Sequence, residues 1–270
     1  MSKIILSARE ILYLSALAGA SELMGIPDGF YGMDDLEIKQ EILKLQTELE
    51  KKGWVQTDFN GNFEVDSGIM QAINTCAFCA KYISVETVGA KSAGVKALFY
   101  YLDDKTVKIE ETDSRYELTP VKPADVGKSI FDRINWADHS EERIGDNIIV
   151  TQSILSQVKD SAENDFTEDA GVEELRKAGC TGSQARIIYS GLNGTSNYIS
   201  VVIVDFNSEE NDVLSIMAIN SKAGSLALIP VEADEREAVE FRSINYDAFK
   251  SMLTEALALI GITENSGDFV

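Results

Sequence analysis

At residue 81 the hydrophobic period of the chain changes, and this constrains the fold more than any other feature. Before it, apolar residues recur every third or fourth position; after it, they alternate. Ser7-Ala8-Arg9-Glu10 reads as a capping box, in which a hydroxyl and a carboxylate satisfy the free N–H groups of a helix start. Ile11, Leu14 and Leu17 follow, then Leu23, with Gly25 and Pro27 expected to stop the helix. A second start stands at Asp34, with Glu37 three residues on. Ile38, Ile42, Leu45 and Leu49 make its stripe, and Gly53 ends it. Asn60-Gly61 tolerates the positive φ of a tight turn and predicts a hairpin within WVQTDFNGNFEV. Asp66 then predicts the cap of a third helix carrying Ile69, Met70, Ile73 and Cys76. Helix, helix, hairpin, helix over residues 7–80 has the outline of a winged helix. The last helix, SGIMQAINTCAFCA, holds no Lys or Arg, so it points to packing or protein binding rather than to DNA.

The alternating part predicts strands at 81–88, 95–102, 105–110 and 115–119, with turns at Asp103-Asp104 and Asp113-Ser114. Leu118-Thr119-Pro120 closes the set, and a helix is expected at 124–135. The same grammar recurs as strands at 184–191, 198–206, 213–219 and 225–229, then Leu228-Ile229-Pro230 and a helix at 246–260. Aligning Pro120 with Pro230 offsets the two units by 110 residues. The expected fold class is therefore α+β: internally duplicated antiparallel β-meander-plus-helix units behind an N-terminal helix-helix-hairpin-helix segment. Its sub-units would be 1–80, 81–136 and 137–270 within one domain. Tyr198–Phe206 is apolar on both faces, as suits a strand covered on both sides. At the start of the second unit, a helix is expected over 147–160 with Ile154, Leu155 and Val158 inward, and an exposed loop over 161–170.

Charge and chemistry exclude more than they assign. The net charge is −21, of which −15 falls in residues 136–270. Phosphate backbones and anionic membranes require clustered cations, so neither is an expected partner. Arg9, Glu10 and Glu22 break any hydrophobic leader, and no apolar run approaches the ~18 residues of a membrane span. Three cysteines argue against a disulfide framework, so a cytoplasmic location is expected. The single histidine, His139, excludes paired-histidine zinc motifs and reads as a solvated residue. Cys76-Ala77-Phe78-Cys79 with Cys180 and His139 supplies four possible zinc ligands, but Cys76 and Cys79 fit one buried helix face, and no metal is expected. Gly127-Lys128-Ser129 lacks the earlier glycine of a phosphate loop, since position 122 is Lys122. Gly191-Leu192-Asn193-Gly194 is expected as a turn between strands, and Asp103-Asp104 and Glu209-Glu210 as solvated carboxylates. Neither a catalytic constellation nor a cofactor site emerges, so an enzyme is not expected.

Several stretches together resemble the EspG family of type VII (ESX) secretion and its Firmicutes counterparts in type VIIb loci. LSAREILYLSALAG is similar to the family's opening helix. KKGWVQTDFNGNFEVDSGIMQAI is similar to its long helix, glycine, short hairpin and helix. VLSIMAINSKAGSLALIPV with YDAFKSMLTEALALI is similar to its closing strand–turn–strand–helix. The basic-aromatic decoration of the family's last hairpin is absent, since 221–225 reads SKAGS, which marks a distant Gram-positive relative. The resemblance implies a single EspG-like domain with pseudo-two-fold sheet units. It also implies a cytosolic, non-enzymatic chaperone or adaptor that covers the tip of a helical secreted client, an LXG-type protein or its small helical partner. The partner-binding positions it implies are Phe99, Tyr100, Tyr101, Asp103 and Asp104 around a central turn, with Phe249, Met252 and Leu253 on the last helix. Alternation puts Phe99 and Tyr101 on one face and Tyr100 on the other, so at least one aromatic is expected in the core. Two other readings stay open: an acidic immunity-type inhibitor of a basic toxin, and an enzyme built on carboxylates of the sheet.

Overall fold

The computed structural model describes residues 3–58, 63–89, 92–134, 136, 145–163, 168–208, 212–221, 223–233 and 236–262. The chain opens with β1 (Ile4–Leu6), α1 (Ala8–Leu17), α2 (Asp35–Lys51), β2 (Val55–Thr57), β3 (Phe63–Val65) and α3 (Ser67–Ala77). A first meander follows: β4 (Lys81–Gly89), β5 (Ser92–Leu102), β6 (Lys105–Thr112) and β7 (Arg115–Val121), then α4 (Val126–Phe131). Next come β8 (Ile148–Thr151), α5 (Gln152–Glu163), α6 (Glu168–Lys177) and α7 (Gly182–Leu192). The second meander is β9 (Asn197–Asp205), β10 (Asp212–Ser221), β11 (Gly224–Ala233) and β12 (Arg236–Ser243), closed by α8 (Tyr246–Leu259). All strands but β2 and β3, which form their own hairpin, belong to a large ten-stranded sheet, antiparallel in every register described.

The chain divides into two compact units, and β4, β5 and β9 contribute residues to both. In the first unit (Met1–Ser84, Ala97–Val126, Val204–Asp212) the strand order is β1-β7-β6-β5-β4. Register partners share a face, and the pairs Ile4↔Leu118, Leu6↔Tyr116, Leu98↔Ile109 and Tyr100↔Val107 are all buried. Helix α3 packs on β6, and α1 packs on β1 and α3, bringing Ile11, Leu14, Ile69, Ile73 and Cys76 into the same core. The three expected caps form. Ser7 and Asp34 make full capping boxes with Glu10 and Glu37, and the Asp66 carboxylate accepts from Gly68 and Ile69 N–H. The α2 stripe also forms, with Leu45 and Leu49 buried and Ile38 and Ile42 half-buried. The Asn60-Gly61 turn lies outside the described residues, though β2 and β3 pair on either side of it.

Helix α1 ends earlier than its sequence suggests, at Leu17, where Gly19 takes φ +94°. The following segment is instead pinned to the sheet. Tyr100 Oη donates to Met24 O at 2.6 Å, and Leu23 and Ile26 are buried without belonging to a helix. Between them Gly25 sits at φ +78°, and a Cβ there would lie 2.4 Å from Tyr82 Oη and 2.9 Å from Leu98 Cδ1. Only glycine has both the left-handed freedom and the absence of a side chain that this position requires.

In the second unit (Val85–Lys96, Gly127–Ile203, Val213–Val270) the strand order is β4-β9-β10-β11-β12-β8. Helices α5, α6 and α7 bury Leu155, Val158, Leu175 and Ile188 together with Val150, Ile219, Leu226 and Phe241 of the strands. Residues 184–191, expected as a strand, belong to helix α7. Its missed start signal was Thr181 with Gln184, a capping box in full, while the apolar run Ile187-Ile188-Tyr189 is too short to discriminate strand from helix. Gly191-Leu192-Asn193-Gly194 is accordingly the end of that helix, not a turn between strands. The fourth strand is β12, whose charged alternation REAVEFRS had concealed it. Pro120 lies on the fourth strand of its meander and Pro230 on the third, so the 110-residue alignment matches unlike strands. The helix expected over 147–160 begins with a strand, β8, and residues 161–163 and 168–170, expected as loop, are helical.

An ion pair between the buried Glu10 and the exposed Lys52 ties α1 to the end of α2. Glu10 is 2% exposed and accepts from the Ser7 N–H at 2.8 Å and from Lys52 Nζ. Burial pushes the Glu10 carboxyl up, but the bonds from Lys52 and Ser7 outweigh it and hold it below 4.5. A lowered folded-state value makes this contribution complete above the ordinary carboxylate range and lost as pH falls through the folded value. Lys52→Met is expected to cost about 1–2 kcal/mol at pH 7, because it leaves the buried carboxylate without its cation, the exposure of Lys52 keeping the loss below that of a fully buried pair. The gap between variant and parent in urea unfolding is expected to narrow as pH falls and the carboxylate protonates. Gly25→Ala is expected to lose about 2 kcal/mol from backbone strain and overpacking together, read as a lower urea midpoint with unchanged slope.

Candidate functional site

The turn that carries part of the implied site is set by backbone chemistry. Leu102 pairs with Lys105, leaving Asp103 and Asp104 as a two-residue hairpin loop, with Asp103 at φ +55°. Asp tolerates this conformation, and both carboxylates are exposed, as expected of solvated turn acids.

The aromatics preceding that turn are not available to a partner. Phe99 and Tyr100 have no exposed surface and Tyr101 is 5% exposed. Burial pushes the Tyr100 and Tyr101 hydroxyls well up, so both stay neutral. Tyr82 lies against Tyr100 with ring centroids 5.3 Å apart. On α8, Phe249 and Leu253 are likewise fully buried. The physical reason is periodicity: Phe249, Leu253, Ala256 and Leu257 form the inward stripe of an amphipathic helix. Met252 lies off that stripe and is half-buried, and Leu259 is 77% exposed. Of the eight implied positions, Asp103, Asp104 and Met252 therefore present surface.

An aromatic cluster at the start of α8 went unnoticed in the sequence. Tyr246 stands 6.2 Å from Phe131 and 5.9 Å from Trp136, and Trp136 stands 5.0 Å from Phe249, all as ring-centroid distances. Tyr246 and Trp136 are both partly exposed, which gives α8 an aromatic entrance. The available signal was a tryptophan in the otherwise polar, acidic segment WADHSEER.

No grouping of His, Cys, Asp and Glu able to hold a metal ion occurs among the described residues. His139 and Glu209-Glu210 lie outside them. Gly127, Lys128 and Ser129 sit within α4, in helical backbone rather than a phosphate-cradling loop. In the first unit, a pocket of about 300 Å³ opens between α3 and the ends of β6 and β7.

No protein-family model and no curated protein matches this sequence. A solved structure does match: the Mycobacterium tuberculosis type VII secretion system chaperone EspG5, in complex with a PE25-PPE41 dimer. The similarity covers 99% of this chain and 99% of that one, at a TM-score of 0.61 and 12% sequence identity. The fold is thus EspG-like. None of the described helices is long and apolar enough to cross a membrane.

The thiols give a direct check on the site chemistry. Cys76 and Cys180 are buried and Cys79 half-buried, all three free. Burial pushes Cys79 and Cys180 up to about 11 and Cys76 well above its ordinary value. Since the thiolate is the reactive species, an Ellman titration at pH 8 is expected to run at least tenfold slower on the folded protein than in denaturant.

Proposed function

We propose that the protein is a non-enzymatic cytoplasmic chaperone or adaptor that binds a helical secreted client, an LXG-type protein or its small helical partner, for type VII export. The observation that carries this reading is the end-to-end fold agreement with EspG5, which was solved holding a PE25-PPE41 dimer. The proposal treats residues 1–270 as one EspG-like domain with sub-units 1–80, 81–136 and 137–270. A four-strand meander followed by a helix occurs twice, as β4–β7 with α4 and as β9–β12 with α8, and this supports a duplicated origin.

The physical logic agrees with the surface. The apolar end of a helical hairpin aggregates unless covered, and a cover must itself offer apolar groups at low cost in conformational entropy. Met252 and Leu259 on α8, and Tyr246 at its start with Trp136 against it, are groups of that kind. In the first unit, taken by itself, Asp103 and Asp104 are exposed carboxylates of the kind found at interface rims.

A tagged pull-down from the native host, washed at moderate salt and read by mass spectrometry, is expected to return a stoichiometric helical or LXG-like protein. A cationic toxin domain released by high salt would instead support an immunity-type inhibitor, because charge-steered association is salt-sensitive. Absence of any partner would count against both. With the client in hand, Met252→Asp and Leu259→Asp are each expected to weaken binding at least tenfold while leaving the melting temperature nearly unchanged. Equal binding by both folded variants would remove α8 from the interface. Tyr100→Asp is no substitute, because a charge at that buried position unfolds the protein.

A further inference from the structure

The pocket between α3 and the β6–β7 end has walls and a mouth of opposite character. Ala72, Thr75 and Val107 form its buried inner wall, and Pro120 adds apolar surface. Gly68 lines the pocket at the start of α3. At the mouth stand Lys105 and Lys122, both exposed. Their placement follows from the register. Thr106 pairs with Val121 and Val107 with Pro120, and Lys105 and Lys122 are the next residues beyond the last described pair, one on each chain segment.

Like charges brought close across a strand pair destabilise it. A countercharge normally relieves such a pair, and acidic residues outnumber basic ones 45 to 24 in this chain. Yet neither lysine side chain has an ion pair or hydrogen bond among the described residues, and no ion pair joins either one to Asp104, which lines the same mouth. Two lysines without a countercharge among the described residues therefore border a recess with an apolar wall.

We propose that this recess binds an apolar group bearing a carboxylate, with the apolar body against Ala72, Val107 and Pro120 and the carboxylate between Lys105 and Lys122. A volume of about 300 Å³ is at the small end of ligand sites, suited to one aromatic or aliphatic acid or to one terminal residue of a polypeptide. The ligand both satisfies the two ammonium groups and removes their mutual repulsion, so binding and local stability are coupled. The proposal is independent of the secretion reading, since it rests on one pocket of the first unit alone.

The test uses the full chain labelled with ¹⁵N and titrated with 3-phenylpropionate, 3-phenylpropionamide, and an acetylated tripeptide ending in phenylalanine as free acid or as amide. Saturable shifts at the amides of Gly68, Ala72 and Val107 are expected with the acids, and at least tenfold weaker binding with the amides. Lys105→Gln/Lys122→Gln is expected to erase that preference while leaving the melting temperature equal or raised, since it removes repulsion and touches no buried group. A peptide acid that binds tighter than 3-phenylpropionate assigns the site to a chain terminus; the reverse order assigns it to a free acid. The proposal is overturned by equal binding of acid and amide, by shifts centred elsewhere, by undiminished acid binding in the double variant, or by no binding at millimolar probe.

Discussion

Strand β5 is buried along both faces over five successive residues, Ala97 to Tyr101, and much of the first unit is arranged around that fact. A strand sealed on one face alternates apolar with polar, whereas one sealed on both becomes a continuous apolar run. The hydroxyls that such a run brings inside must then find partners or stand unpaired. Tyr100 resolves this by reaching Met24 O, and that one bond turns the segment after α1 from a surface connection into a lid on the core. Gly25 exists in its left-handed form because the lid lies so close to Tyr82 and Leu98. The early end of α1 is part of the same arrangement: a longer helix would carry Leu23 and Met24 away from the sheet.

Local chemistry was legible wherever one or two residues decide the outcome. The caps at Ser7, Asp34 and Asp66, the turns at Asp103-Asp104 and Asp113-Ser114, and the first meander all follow from side chains within a few positions of one another. What was not legible depended on partners distant in sequence. Strand β1 is three residues long and gains its identity only by pairing with β7. Strand β12 looks like a charged surface segment until β8 and β11 flank it. Helix α7 shows the opposite error: Ile187-Ile188-Tyr189 suggested a strand, while the deciding information lay upstream in Thr181 and Gln184.

The candidate site suffered from the same distinction. Aromatic residues near a central turn, taken from a family resemblance, have the composition of a hot spot, yet Phe99, Tyr100, Phe249 and Leu253 proved to be core. Sequence composition registers that a residue is large and apolar; only the fold decides whether that area faces protein or water. The surviving surface positions, Met252, Asp103 and Asp104, are less conspicuous in the sequence. Trp136 and Tyr246 are far apart in the sequence, and only the fold of the second unit brings their rings together.

The strand order ends in two very short elements, β1 with three residues and β8 with four. Each leaves little ladder for a second sheet to join, although Ile5 and Ile149 are half-exposed there. A long sheet normally makes crowding dangerous, since each open margin templates another copy. Here the templates are three and four residues long, too brief to propagate a fibre. Growth of the sheet through these two described margins is therefore disfavoured.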